Sequence, residues 1–132
     1  MDPTRKNGQG SRPTCLIVEN DAPVRTALRE WLTGVFPGCH FSGVGSGEEA
    51  MWLINFQTPN VILMAIGLPG MSGLQATRRI KRVLPDVKVV ILTRYDTREY
   101  RAEAGAAQAD AYVLKHTMDT ELIPLLTRLL PG

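Results

Sequence analysis

The stretch VILMAIGLPGMSG, residues 61–73, decides how this chain is read. It opens on an unbroken apolar run, Val61 to Ala65, of the length of a strand buried on both faces. A turn rich in proline and glycine follows at once, through Gly67, Pro69 and Gly70. A helix should start at Ser72, with Gln75 three residues on, the spacing at which two side chains satisfy each other's backbone amides. The unit is strand, turn, helix.

The same alternation extends in both directions. Four further β-rich runs are CLIV (15–18), HFSGV (40–44), VKVVILT (87–93) and AYVL (111–114). Between them lie helical periodicities. The first runs from Ala22 to Phe36, with Val24, Leu28, Trp31, Leu32 and Val35 on one face and Pro23 in its first turn. The second starts at Ser46, with Glu49 at capping-box spacing. The third carries Leu74, Ile80 and Leu84 and ends at Pro85. The fourth spans Asp96 to Ala107. The fifth spans Met118 to Leu130, turns Leu122, Leu125, Leu126 and Leu129 inward, and has Pro124 near its first turn. Five strands alternating with five helices predict an α/β fold, a doubly wound parallel sheet covered on both faces with right-handed crossovers. Residues 1–13 are polar with Gly and Pro, and read as a disordered leader before one domain over 14–130.

Composition narrows the function classes. The chain has 132 residues, 44% hydrophobic and 21% charged, enough for one domain with a real core. A formal charge of +2 gives no case for direct nucleic-acid binding. The bunch Arg78, Arg79, Lys81 and Arg82 reads as the solvated face of a helix. No apolar run approaches the roughly 18 residues of a membrane span, and no signal-peptide stretch opens the chain, so a cytoplasmic protein is expected. Cys15 and Cys39 lack metal or redox spacing and read as reduced, largely buried thiols. His40, in a strand, reads as structural.

Sites in open α/β sheets form outside the carboxyl ends of the strands. Those ends carry Glu19, Asn20 and Asp21 after the first strand, Ala65 at the third, Thr93 and then Arg94 at the fourth, and Lys115 after the fifth. Carboxylates, a hydroxyl and an ammonium in one crevice suit a hard cation and a phosphoryl group.

In that order the motifs IVENDAPVR, VILMAIGLPGMSG, VVILTRYD and DAYVLKH resemble the receiver domain of bacterial two-component response regulators, over residues 14–130. The wording is most similar to regulators whose receiver precedes a helix-turn-helix DNA-binding domain. The resemblance implies a flavodoxin-like sheet of order 2-1-3-4-5. It implies phosphoryl transfer from a histidine kinase or a small donor to an aspartate at the end of the third strand, assisted by Mg²⁺. Thr93 then falls on the switch hydroxyl, Lys115 on the phosphate-pairing lysine, Tyr112 on the switch aromatic, and Glu19 and Asn20 on the acidic pair. In the family the acceptor lies four residues before a proline and eight before a glycine. Pro69 and Gly73 fix Ala65 as that position, and a methyl group cannot form an acyl phosphate.

Three more departures accompany Ala65. Asn20 brings an amide where a metal-binding carboxylate is usual, so no cofactor is expected and Mg²⁺ binding should be weak, with Glu19 or Asp21 as substitute ligands. Arg94 stands where many relatives have a small residue, and its guanidinium is expected to fill the crevice and pair with Glu19 or Asp21. His116 follows Lys115 where many relatives have proline. The chain therefore reads as a non-enzymatic pseudo-receiver, a regulatory interaction module in signal transduction that controls transcription through an output domain or protein partner. A histidine kinase and a second copy are further partner options; a membrane is not. Two alternatives stand beside it: a phosphoacceptor receiver inactivated by a deliberate aspartate-to-alanine change, and a small-ligand or anion sensor using Lys115, Thr93 and Arg94.

Overall fold

The computed structural model describes residues 12–132. Strands β1 (Thr14–Val18), β2 (His40–Val44), β3 (Val61–Met64), β4 (Lys88–Thr93) and β5 (Ala111–Leu114) form one parallel sheet of order β2-β1-β3-β4-β5. This is the doubly wound, flavodoxin-like arrangement expected. Helices α1 (Ala22–Val35) and α5 (Met118–Leu129) cover one face; α2 (Gly47–Leu53), α3 (Gly73–Val83) and α4 (Arg98–Ala106) cover the other.

Alternation along the strands builds two cores. Cys15, Ile17, Leu63, Val90 and Val113 pack under α1 and α5 with Leu28, Leu32, Leu122 and Leu126. Leu16, Val18, Ile62, Met64, Val89 and Ile91 pack under the other three helices with Ala50, Leu74, Ile80 and Ala104. Every residue of β3 is buried, which is why its sequence shows no polar alternation. Burial pushes the Cys15 thiol far above its ordinary pKa, so it stays an inert part of that core.

Side-chain caps start four of the helices, each a contribution of about 1 kcal/mol. Asp21, Ser46, Ser72 and Thr97 accept from Val24, Glu49, Gln75 and Tyr100 amides respectively. Ser72 and Gln75 complete the reciprocal box. Ser46 and Glu49 do not: the Glu49 carboxylate reaches back one residue further, to the Gly45 amide at 2.7 Å. Thr97 as cap starts α4 at Arg98, two residues later than expected.

Other expectations need correction. Of the leader, residues 1–11 lie outside the described residues. Arg12 and Pro13 are tied to the neighbouring segment: Arg12 Nη2 donates to the Cys39 carbonyl at 3.1 Å, and the His40 amide donates to the Pro13 carbonyl at 2.8 Å. Val35 is 41% exposed, because α1 buries only the Leu28–Leu32 stripe by its last turn. A 3-10 turn, Lys115–Thr117, precedes α5. Pro124 then lies inside α5, so the Thr120 carbonyl has no amide four residues on; full burial of Leu122 and Leu126 on either side offsets the loss.

The basic bunch on α3 divides. Arg78, Arg79 and Arg82 are exposed, but Lys81 is only 8% exposed. Its ammonium donates to the carbonyls of Pro85 (3.1 Å) and Val87 (2.9 Å) and to Asp110 Oδ2 (2.9 Å). The same Asp110 oxygen accepts from the Val89 amide at 2.8 Å. Lys81 thus fastens α3 to the entrances of β4 and β5. Losing it leaves a half-buried carboxylate and two carbonyls short of a donor. Lys81→Ala should lower unfolding stability by about 2–3 kcal/mol, while Arg82→Ala should stay within about 0.5 kcal/mol. Urea titration of both variants checks this; equal midpoints would show that the Lys81 cluster contributes nothing net.

Candidate functional site

The sheet's hydrogen bonding continues one residue past the strands and brings the predicted positions together. The Glu19 amide donates to the Val44 carbonyl and the Ala65 amide to the Val18 carbonyl, both at 3.0 Å. Ala65 therefore stands beside Glu19, and the residue is 8% exposed. Thr93 ends β4 and is buried; Lys115 follows β5 directly.

Glu19 is the centre of the crevice. It is 7% exposed, and both carboxylate oxygens are engaged. Oε1 accepts from Lys115 Nζ at 2.7 Å, and Oε2 accepts from the Asp21 amide at 3.0 Å. Its backbone carbonyl accepts from the Arg25 guanidinium at 2.7 Å. Asp21 is exposed and serves as the cap of α1 through Oδ1. Asn20 is exposed. Arg94 is exposed too, and among the described residues it forms no ion pair with Glu19 or Asp21. The expected guanidinium pairing is replaced by Lys115, which reaches Glu19 across the ends of β4 and β3.

Arg25 was not singled out from the sequence. Its stem lies across β2 so closely that a Cβ on Gly43 would sit 2.9 Å from it. A glycine inside a strand is the sequence signal for such an approach. Glu48 was also missed. Its Oε2 accepts from the Met71 amide at 2.9 Å and lies against Gly70, which has a φ of +69° that glycine adopts without strain. That amide holds the Glu48 carboxyl below the usual carboxylate range. The other loop anchor is Gly73. Its amide donates to the Ile66 carbonyl at 2.9 Å, and a Cβ there would overlap the Ala65 carbonyl. Gly73 therefore serves backbone packing at position 65, whatever side chain stands there.

Thr93 and Tyr112 converge on one residue. The Tyr95 amide donates to Thr93 Oγ1 at 3.2 Å, and the Tyr112 hydroxyl donates to the Tyr95 carbonyl at 2.7 Å. The Tyr95 ring stacks on Tyr100 at 5.4 Å, and Arg101 lies over the Tyr112 ring at 4.6 Å. Burial raises the Tyr112 pKa, so the phenol keeps the proton it donates. The loop after β4 is thereby held from both strand ends. His116 lies in the 3-10 turn, and the Lys115–His116 peptide is trans.

Comparison with known proteins agrees with this geometry. Residues 15–127 match the response regulator receiver domain. The chain is 30% identical over 118 residues to the response regulator GacA of Pseudomonas aeruginosa, covering 89% of this chain and 55% of the relative. It is 37% identical over 109 residues to the oxygen regulatory protein NreC of Staphylococcus carnosus, covering 82% of this chain and 50% of that protein. Among solved structures, a LuxR-family DNA-binding response regulator from Staphylococcus aureus superposes with a TM-score of 0.80 at 29% identity, over 89% of this chain and 98% of that one. The chain spans about half the length of these two curated relatives.

Two outcomes are expected. Tyr112→Phe removes one hydrogen bond from the loop and should lower stability by about 1 kcal/mol, with faster amide exchange at residues 94–97; unchanged exchange would show that the hydroxyl holds nothing. The Glu48 anchor has a lowered folded pKa, so its contribution is complete above the ordinary carboxylate range and fades as pH falls through the lowered value. Protection of the Met71 amide should follow that course, and Glu48→Gln should flatten it.

Proposed function

We propose, because the chain belongs to the response regulator receiver family, that it is a regulatory interaction module whose crevice works without phosphate. One observation carries the reading. Ala65 presents a methyl at the acceptor position, and the carboxylate beside it, Glu19, is bonded at both oxygens by Lys115 and the Asp21 amide. In relatives that are phosphorylated, such a lysine would be available to the phosphoryl group; here it neutralises a neighbour.

The donors present fit magnesium poorly. Mg²⁺ demands near-octahedral oxygen ligands and generally takes one or two carboxylates. Ala65 offers none, Glu19 is held by Lys115, and Asp21 spends one of its two oxygens, Oδ1, on the cap of α1. Asn20 could add only a neutral carbonyl. Weak Mg²⁺ binding therefore belongs to the proposal.

The switch residues support the same reading. Thr93 and Tyr112 are joined through the Tyr95 backbone. A face built on that loop would be presented in one form. The two curated relatives named above are regulators about twice as long, which supports control of transcription from the cytoplasm through an output domain or a protein partner. A histidine kinase and a second copy of the chain are the remaining partner options. The anion-sensor alternative requires Lys115 to leave Glu19. The replaced-aspartate alternative requires the pocket to be otherwise competent.

Intact-mass measurement after Mg²⁺ and a small acyl-phosphate donor separates these readings. The native chain should gain no phosphoryl group. Ala65→Asp should gain little, because Glu19 and Lys115 must first separate. Full, rapid modification of Ala65→Asp would favour a deliberate or recent aspartate-to-alanine change. Modification of the native chain would overturn the proposal.

A further inference from the structure

Two glycines on the edge strand are not there for their backbone conformation. Gly43 lies in β2 and Gly45 just past its end, and neither has a positive φ. Both lie under one side chain. A Cβ on Gly43 would sit 2.9 Å from Arg25 Cγ and Cδ, and one on Gly45 would sit 3.3 Å from Arg25 Nη1. Residues two apart on a strand share a face. The arginine, rooted near the start of α1, therefore runs along the strand from one glycine to the next. Its half-buried stem takes the room that two β-carbons would fill.

The track ends at Glu19. Arg25 Nη1 donates to the Glu19 carbonyl at 2.7 Å, and the Arg25 amide donates to the Asp21 carbonyl at 2.9 Å. One residue thus grips both ends of the turn Glu19–Asp21, by its side chain and by its main chain. The Glu19 amide is held from the other direction. It donates to the Val44 carbonyl, and the N–H of that same Val44–Gly45 peptide donates to Glu49 Oε1 at 2.7 Å. A peptide group bonded at both ends is polarised, which strengthens each bond. The Glu19 backbone is therefore fixed at its amide through β2 and α2, and at its carbonyl by Arg25. Glu19 is 7% exposed, so water is a poor substitute for the guanidinium.

We propose that Arg25 is the positioning residue of the crevice: it fixes the Glu19 main chain so that the Glu19 carboxylate meets Lys115, and it makes Gly43 a control point for that pair on the outer strand. The inference rests on the phosphate-independent reading above, in which the Glu19–Lys115 pair occupies the crevice. A turn released at the Glu19 carbonyl lets the side chain swing, and the Asp21 amide then loses Oε2 as Lys115 loses Oε1. Guanidinium suits this task, because its planar fork loses less freedom per hydrogen bond than an ammonium on a flexible stem. Lysine at position 25 should therefore restore the pair in part. Gly43 is exposed, so a group that presses on the strand there reaches the crevice through one side chain, with no movement of the sheet.

The test reads the crevice directly in the 132-residue chain. Heteronuclear NMR follows proton exchange of the Lys115 ammonium and of the Asp21 amide, with the amides of β3 and β4 as reference. The native chain should show a protected Lys115 ammonium. Arg25→Met keeps an apolar stem and removes the donors. Both crevice groups should then exchange faster by on the order of tenfold, the loss of one charge-assisted hydrogen bond, while the reference amides hold. Arg25→Lys should recover part of the protection. Gly43→Ala should reproduce the Arg25→Met effect from another strand, by displacing the stem. Arg29→Met, exposed one turn further along α1, should change nothing. The proposal is overturned if Arg25→Met leaves both groups protected, or if Arg29→Met acts as strongly. It is also overturned if the reference amides speed up by the same factor, since the arginine would then brace the whole fold. Native exchange at the crevice in Gly43→Ala would remove the control point. A native chain with no protected Lys115 ammonium would sink the phosphate-independent reading, and this inference with it.

Discussion

The ion pair between Lys115 and Glu19 crosses the carboxyl edge of the sheet from β5 to β1, over the ends of β4 and β3. It joins residues 96 apart in the chain. The Glu19 side chain is 9% exposed and that of Lys115 is 25% exposed, so the charges are partly desolvated and each depends on the other. Ala65 makes the crossing practicable, because the strand end between them presents a methyl and no competing carboxylate. An aspartate there would lie between the two partners along the sheet edge. A carboxylate at position 65 would therefore compete with Glu19 for the Lys115 ammonium.

The loop after β4 answers to the same edge. Thr93 and Tyr112 come from adjacent strands and hold the amide and the carbonyl of one residue, Tyr95. Each bond is worth about 1 kcal/mol, which is modest, but the two act on a single peptide segment from opposite sides. Arg101, held by Asp96 at 2.7 Å, braces the Tyr112 ring from α4. The crevice and the helical face beyond it are therefore mechanically continuous. The route runs through main-chain hydrogen bonds and one aromatic side chain.

Much of the architecture was legible in the sequence because parallel sheets demand apolar strands and short capped helices. β2 and β5 fell where their runs fell, and the other three strands differed by a single residue at one end. Ser46 and Ser72 marked helix starts correctly. The strand ends then assembled the crevice residues without further information. What the sequence could not display was who bonds to whom. Lys81 looked like its exposed neighbours, since nothing local indicates an Asp110 waiting 29 residues on. Pro124 looked like an early proline, since the helix gains stability from Leu122 and Leu126, which pattern alone does not weigh. Arg94 was the nearest cation to the acidic cluster in strand-end order, yet a lysine with a clear path along the edge took its place. Arg25 and Glu48 hold the site through backbone groups, and such partners leave little trace in residue type beyond the glycines opposite them.

Gly73 has a consequence of a different kind. Its close approach to the Ala65 carbonyl is a demand of main-chain geometry, indifferent to whether the neighbouring side chain carries a carboxylate. Pressure to keep the protein folded would preserve the glycine, and the turn that leads to it, long after the chemistry had lapsed. The glycine and the turn before it thus answer to main-chain shape, and they would persist whether or not position 65 carried a carboxylate.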